Sequence, residues 1–234
     1  MVVLSKFYQS VILSTSSIAL VRRMIRVVIS NFNWYTNSKM PKQVELYIIS
    51  LFHASVITCW GIKHLLEWNI SSIKVLEDDK SIINLLLFSM GYFIHDTICT
   101  YMIGKTTISG TIHHVIGIII EYAILNNLSI YRTCYPIFIS FIITELSTIF
   151  LNIMLIMRHI RKSDTRLYNY IVATFIVTFF GTRIVANPLM LVYNHSSLLV
   201  LGKSKWLIWA FPALNYWWFK LILLKLTKVF KKKE

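Results

Sequence analysis

The sequence predicts an all-α integral membrane protein, a bundle or barrel of six to seven transmembrane helices. Three observations carry this. Hydrophobic residues make up 56% of the 234-residue chain and charged residues only 15%, with a mean hydropathy of +0.62. The apolar residues gather in runs of roughly 20, the length an α-helix needs to cross a hydrocarbon core. Only short polar connectors separate these runs, with no repeat and no linker that would hold a second domain. Backbone polar groups in lipid must be paired within their own segment, so runs of this length fold as helices.

The first apolar run, Phe7 to Val21, is interrupted by Ser10, Ser14, Thr15, Ser16 and Ser17, and Arg22, Arg23 and Arg26 follow it. A basic cluster placed after the apolar run is not a cleavable-signal pattern. The run reads as a poorly packed first span or as an interfacial helix, and residues 1–43 as this segment plus a cytosolic connector with Pro41 as its breaker. The second span covers Val44 to Leu66 and carries His53. The acidic linker Glu77-Asp78-Asp79 leads to the third, Ile82 to Ile103. A hinge from Gly104 to Thr107 opens onto the fourth, Ile108 to Leu125, which ends at Asn126 and Asn127. The fifth covers Cys134 to Met157, with Pro136 near its start, where a helix tolerates proline. The basic connector Arg158 to Arg166 precedes the sixth, Tyr168 to Val192. The seventh runs from Trp206 to Leu226 and bears Trp206, Trp209, Trp217 and Trp218.

A net charge of +14 would suit nucleic acid, but the basic residues sit in connectors and the tail, so no nucleic-acid partner is expected. If connectors alternate sides, one side collects Arg22, Arg23, Arg26, Lys39, Lys42, Lys105, Arg158, Arg161, Lys162, Arg166 and the tail lysines. The positive-inside rule makes that side, with the tail 229–234, cytosolic. The sequons at Asn69, Asn127 and Asn194 then fall on the lumenal side. The ending Lys231-Lys232-Lys233-Glu234 resembles a dilysine retrieval signal of endoplasmic-reticulum membrane proteins and reads equally well as a positive-inside anchor. Cys59, Cys99 and Cys134 have neither disulfide nor zinc spacing and read as small core residues.

Function concentrates between Leu85 and Asn152. Ionisable groups inside bilayer-length runs are costly, so they face a protein or water-filled interior. His113 and His114, about 100° apart on their helix, share one broad sector. Gly110 and Gly117 lie on the His113 side and allow a close neighbour, and Glu121 is two turns past His114. Tyr92, Asp96 and Thr100 form one face of the third span, with His95 beside it. Glu145, Thr148 and Asn152 form a polar stripe on the fifth, and the sixth adds Arg183 and Asn187. Such groups serve as base or nucleophile with a carboxylate orienter, as a metal site, or as a hydrogen-bond network fixing helix registry. The absence of H-x-x-H or H-E-x-x-H spacing argues against metal. His53 reads more readily as a core histidine than as a catalyst, and Arg183 as a counter-ion for Glu145, Asp96 or a lipid headgroup.

In these residues the chain resembles the TLC-domain family, which contains the ceramide synthases and smaller multispan proteins tied to lipid handling. The resemblance rests on Gly91-Tyr92-Phe93-Ile94-His95-Asp96, Ile112-His113-His114, Thr144-Glu145-Leu146-Ser147-Thr148-Ile149-Phe150-Leu151-Asn152 and Arg183-Ile184, in that order. It covers roughly residues 44–228 and is closest to the TLC domain-containing protein 4 subgroup, to which Leu51-Phe52-His53-Ala54 is also similar. It implies a helical barrel open to lipid in the endoplasmic reticulum. In ceramide synthases the histidine pair is essential, and it corresponds to His113 and His114. Those enzymes carry a further His-Asp where this chain reads Thr144-Glu145-Leu146-Ser147, which weighs against ceramide synthesis.

The expectation is therefore a protein of lipid homeostasis that binds a lipid in a polar intramembrane cavity, without cofactor or metal and leaning away from an enzyme. His53, His95, Tyr92, Asn152 and Arg183 would line or brace that cavity. The alternative is an acyl-CoA-dependent, ceramide-synthase-like lipid N-acyltransferase acting on sphingolipid precursors. There acyl-CoA is a co-substrate, His113 or His114 the base or acyl carrier, Asp96 or Glu145 its orienter, and Arg183 the holder of an anionic group. A third reading is a cargo receptor acting through its lumenal loops. Membrane lipids are the expected partners, with a homo-oligomer and lumenal protein cargo left open.

Overall fold

Apolar runs fold as long helices wherever no Pro or Gly interrupts them. The computed structural model describes residues 2–32, 35, 41–68 and 79–230, and no strand occurs among them. In chain order these are α1 (Val2–Ile29), α2 (Pro41–Trp68), α3 (Asp79–Met102), α4 (Ile108–Asn126), the short α5 (Leu128–Thr133), α6 (Tyr135–His159), α7 (Arg166–Phe179), a π-helical turn (Phe180–Ala186), α8 (Asn187–Tyr193), a 3-10 segment (His195–Ser204) and α9 (Lys205–Phe230). Most of the connector ahead of α2, the sequon at Asn69, Glu77 and Asp78, and the tail from Lys231 to Glu234 lie outside the described residues.

Six stretches are long and apolar enough to cross a membrane: Pro41–Leu66, Lys80–Met102, Ile108–Asn126, Tyr135–His159, Arg166–Tyr193 and Lys205–Thr227. The chain is thus a multi-pass membrane protein. α1 is not among the six, because its serines lower its hydropathy, yet it is not poorly packed. Ile18 is buried in a cluster with Ile49, Tyr92 and Phe93. Ser14 lies so close to Gly91 of α3 that a Cβ there would overlap its hydroxyl. The serines that make the run look weak are the small residues that let α1 dock on α3, while Ile12, Leu13, Leu20, Met24, Val27 and Val28 remain exposed on the other side.

Local chemistry sets the helix ends. Thr107 caps α4 by accepting from the Gly110 amide, and Thr165 caps α7 by accepting from Tyr168. The turn expected at Asn126-Asn127 is followed by α5, one short helix that carries the chain into α6. The sixth span is the irregular one. Pro188 has no N–H for the carbonyl of Ile184 and its ring crowds that carbonyl, so the helix widens to the π form just before it. The Tyr216 hydroxyl of α9 donates to the freed Ile184 oxygen at 3.3 Å.

Two apolar cores hold one end of the bundle. Ile57, Leu86, Ile124, Tyr135 and Phe138 join α2, α3, α4 and α6. Cys134, Ile137, Leu191, Leu198 and Ile208 tie the start of α6 to α8, the 3-10 segment and α9. Within a bilayer such clusters are held by close van der Waals packing and not by transfer from water, because lipid tails are as apolar as the side chains. With the start of α6 packed on both sides, the open space lies toward its far end.

Candidate functional site

That space is a cavity of about 510 Å³ between α2, α3, α4, α6, the α7–π segment and α9, within the size range of small-ligand sites. Gln43, Tyr47, Lys105, Thr107, Leu155 and Lys225 form its mouth, at the end where α2 and α4 begin and α3, α6 and α9 finish. Deeper walls carry Tyr92, Asp96, His113, His114, Glu145, Asn152 and Arg183. Helical spacing explains the convergence. Tyr92, Asp96 and Thr100 repeat every four residues, and Glu145, Thr148 and Asn152 repeat at three and four, so each set forms one stripe.

His114 is oriented by a residue that sequence reasoning did not select. The Thr97 hydroxyl donates to the Phe93 carbonyl at 2.7 Å and lies 2.9 Å from His114 Nδ1. With its one proton spent on Phe93, it accepts from Nδ1–H, and the neutral ring keeps its lone pair at Nε2. Nε2 lies 3.8 Å from Asp96 Oδ2. Asp96 thus stands on the reactive side of the ring, as a partner for an imidazolium, while Thr97 holds the tautomer. His113 is packed among Phe93, Phe211 and Trp218, with ring centroids 5.3–5.8 Å apart. Its Nδ1 has no partner among the described residues.

Arg183 projects from the π turn and is 4% exposed. Its Nε donates to Ser147 at 2.9 Å, Nη1 to Asn215 at 3.2 Å, and Nη2 to Thr148 at 2.9 Å and to Glu145 at 3.4 Å. The guanidinium also lies over Phe179, 5.4 Å from the ring centre. Of the counter-ions expected for Arg183, the structure pairs it with Glu145, and that neutralised pair forms part of the cavity wall. Nearby, Asn152 donates to Ser50 at 2.9 Å, and Ser50 also bonds Tyr92, which bridges α6, α2 and α3. Asn187 lies outside the wall and donates to Ser140 at 3.0 Å.

The other histidines are placed apart from His114. His53 is buried and stacks on Tyr92, ring centroids 3.9 Å apart, with Nε2 3.1 Å from the Ser89 hydroxyl. His95 turns toward α1, where its Nε2 lies 3.4 Å from Cys99, whose sulfur receives Arg22 Nη1 at 2.8 Å. It belongs to the α1–α3 contact and not to the cavity. The conspicuous signals missed at the sequence level were Asn215, a lone amide in an apolar run, and Glu45, a carboxyl at a span's start. Thr97 and Ser50 gave no signal, because hydroxyls in apolar helices commonly bond only their own backbone. Among the described residues no group of three or more His, Cys, Asp or Glu side chains is arranged to hold a metal ion.

The cavity thus joins an oriented histidine, a facing carboxylate and a neutralised arginine–glutamate pair in a largely apolar enclosure. That combination suits a long apolar molecule with a polar head. No curated protein matches the chain. A family model, the TLC domain, matches residues 44–227, from the start of α2 almost to the end of α9. The match spans every helix that builds the cavity, and the chain belongs to the TLC-domain family.

Proposed function

We propose that this protein binds one membrane lipid in the cavity and acts in lipid homeostasis, as expected of the TLC domain-containing protein 4 subgroup. The polar head lies against His114, Asp96 and the Glu145–Arg183 pair, and the chain follows the apolar wall formed by Leu151, Phe175, Phe179 and Trp218. The observation that carries this reading is the enclosure itself. All six spans contribute polar side chains to one space of about 510 Å³, whose mouth lies at one end of the bundle. Arg158, Arg161, Lys162 and Arg166 lie at or just beyond that end of α6, and the positive-inside rule supports a cytosolic mouth with the C-terminus on the same side. The endoplasmic reticulum as the membrane rests on the family resemblance and the dilysine-like ending.

The geometry at His114 favours acyl transfer as the second reading. In that reaction the lone pair at Nε2 removes the proton of an attacking amine as its nitrogen bonds to the thioester carbonyl of an acyl-CoA. Asp96, 3.8 Å away, stabilises the resulting imidazolium. The carbon–sulfur bond then breaks, the thiolate takes the proton from Nε2, and His114 is neutral again.

A long-chain lipid with a photoreactive group near its head, irradiated with the purified protein, tests the first reading. Labelled peptides from α3, α4 and α6 support it, and labelling confined to lipid-facing positions overturns it. Labelled acyl-CoA with sphingoid or lysolipid acceptors tests the second. Turnover lost in folded His113→Ala or His114→Ala supports acyl transfer, and no turnover with any acceptor leaves the histidines as binding groups.

A further inference from the structure

Behind His113 lies a second, smaller chamber of about 90 Å³ that the lipid-binding reading does not use. Phe93, His113 and Glu145 line both spaces, so the two share a wall. Phe93 presses on the bare face of Gly117, where a Cβ would overlap its ring, and this seats the partition. The chamber is apolar on most sides, through Ile57, Leu86, Ile120 and Phe138. Apart from His113, Glu145 and Thr144, three polar groups break that surface: His53, Ser89 and Glu121.

Glu121 is unlike the other buried acids. Glu45 is held by two arginines and a tyrosine, Glu145 by Arg183, and Asp96 faces His114. Glu121 is 9% exposed, bonds only the Ser89 hydroxyl, and keeps Oε2 without a partner. His53, 2% exposed, bonds the same hydroxyl through Nε2 and keeps Nδ1 without a partner. Buried polar atoms are nearly always satisfied, so the unmatched atoms of His53 and Glu121, beside the unmatched Nδ1 of His113 on the shared wall, point to a missing polar group.

Ser89 has one proton to give, and this limits what that group can be. If Ser89 donates to an ionised Glu121, it accepts from His53 Nε2–H, and the chamber offers acceptors at Nδ1 and Oε2. If instead Glu121 is protonated and donates to Ser89, Ser89 donates to His53 Nε2, and Nδ1–H becomes a donor. A buried carboxyl with no cation beside it is uncharged, which selects the second arrangement. There one hydroxyl satisfies both atoms, accepting from Nδ1–H and donating to Oε2, whereas an ammonium or a carbonyl satisfies only one of the two. Glu121 lies seven residues beyond His114 on α4, about 10 Å further along the axis, the depth a chain reaches when its head is held at His114.

We infer that the Glu121–Ser89–His53 chamber is a second subsite, which recognises a hydroxyl carried part-way along the chain of the bound lipid. It rests on the lipid-binding reading and adds the chain chemistry that the site selects. The test uses the full chain in phosphatidylcholine nanodiscs, with two labelled lysophosphatidylcholines that differ only in a mid-chain hydroxyl. Wild type is expected to bind the hydroxylated probe about tenfold more tightly, and His53→Phe or Glu121→Leu to remove the preference while still binding the plain probe. Equal binding of the two probes to wild type overturns the inference and leaves the lipid-binding reading standing, the chamber then holding water. A preference that survives in both folded variants overturns it too, by placing the hydroxyl elsewhere. Binding of neither probe overturns both readings. If a variant fails to fold, the comparison of the two probes on wild type alone decides.

Discussion

Glu45, buried at the start of α2, and Glu145, half-buried in the middle of α6, are both carboxylates paired with arginine, and they are treated differently. Glu45, fully buried at the start of α2, receives four hydrogen bonds: Arg22 at 3.0 Å, Arg26 at 2.8 and 2.7 Å, and Tyr35 at 2.5 Å. It is not among the residues that line the cavity, and the cluster fastens α1 to the family domain. Glu145 has a long contact with Arg183 at 3.4 Å and a bond with the Thr148 hydroxyl, and it lines the cavity. A carboxylate saturated by two arginines and a tyrosine fixes architecture, whereas one with fewer bonds beside open space keeps bonding capacity for a ligand. The distinction separates two polar networks that look alike in the sequence.

Glu45→Ala is expected to have the largest effect on stability. It strands two arginines and a tyrosine, and removing one partner of a buried pair costs about 3–5 kcal/mol. The side chain of Arg26 is 48% exposed and returns to water, so a loss near the lower bound, about 3 kcal/mol, is expected. Thermal unfolding in detergent measures it, and lipid binding by the remaining folded protein should be unchanged. A binding defect without a stability defect would dissolve the comparison.

Arg183→Met comes next. It leaves Glu145 without its cation and Ser147, Thr148 and Asn215 without a donor, for about 2–3 kcal/mol. The double variant Arg183→Met with Glu145→Leu should recover part of that stability but not ligand binding. If it recovers both, the pair is architecture and not site.

Tyr35→Phe removes one hydrogen bond, about 1 kcal/mol at neutral pH. Burial, reinforced by the Glu45 carboxylate, pushes the Tyr35 phenol up to about 12. A folded-state value raised above the unfolded one, about 10, gives stability that is complete below about pH 10 and lost as pH rises toward 12. Alkaline unfolding curves should show that loss in wild type and a flatter profile in Tyr35→Phe. His114→Ala should cost least, under about 1 kcal/mol, because the ring has one hydrogen bond and an open side. Its effect should appear in ligand affinity, read by titration. A stability loss comparable to that of Glu45→Ala would assign His114 to the architecture.

The spans were legible because period and length suffice to read them. So was the grouping of Tyr92, Asp96, His113, His114, Glu145, Asn152 and Arg183, since each helix must turn its polar stripe inward. What escaped depends on distance across the bundle. His95 precedes Asp96 by one residue, and the 100° step sends it to α1 and Cys99. Thr97 orients His114 only because α3 and α4 meet at that height. α1 hid its docking in serines that lower hydropathy while permitting close approach to Gly91. The π turn at Arg183 follows from Pro188, which was visible in the sequence, but aiming the guanidinium at Glu145 required the third dimension.

The central claim is that the cavity holds a lipid, and native mass spectrometry of the purified chain tests it most directly. Wild type should retain one lipid-mass adduct per chain. Leu151→Trp, which fills the cavity while leaving Glu45, Arg183 and His114 in place, should lose the adduct at an unchanged melting temperature. An equally occupied, folded Leu151→Trp protein, or a wild type without any adduct, would contradict it.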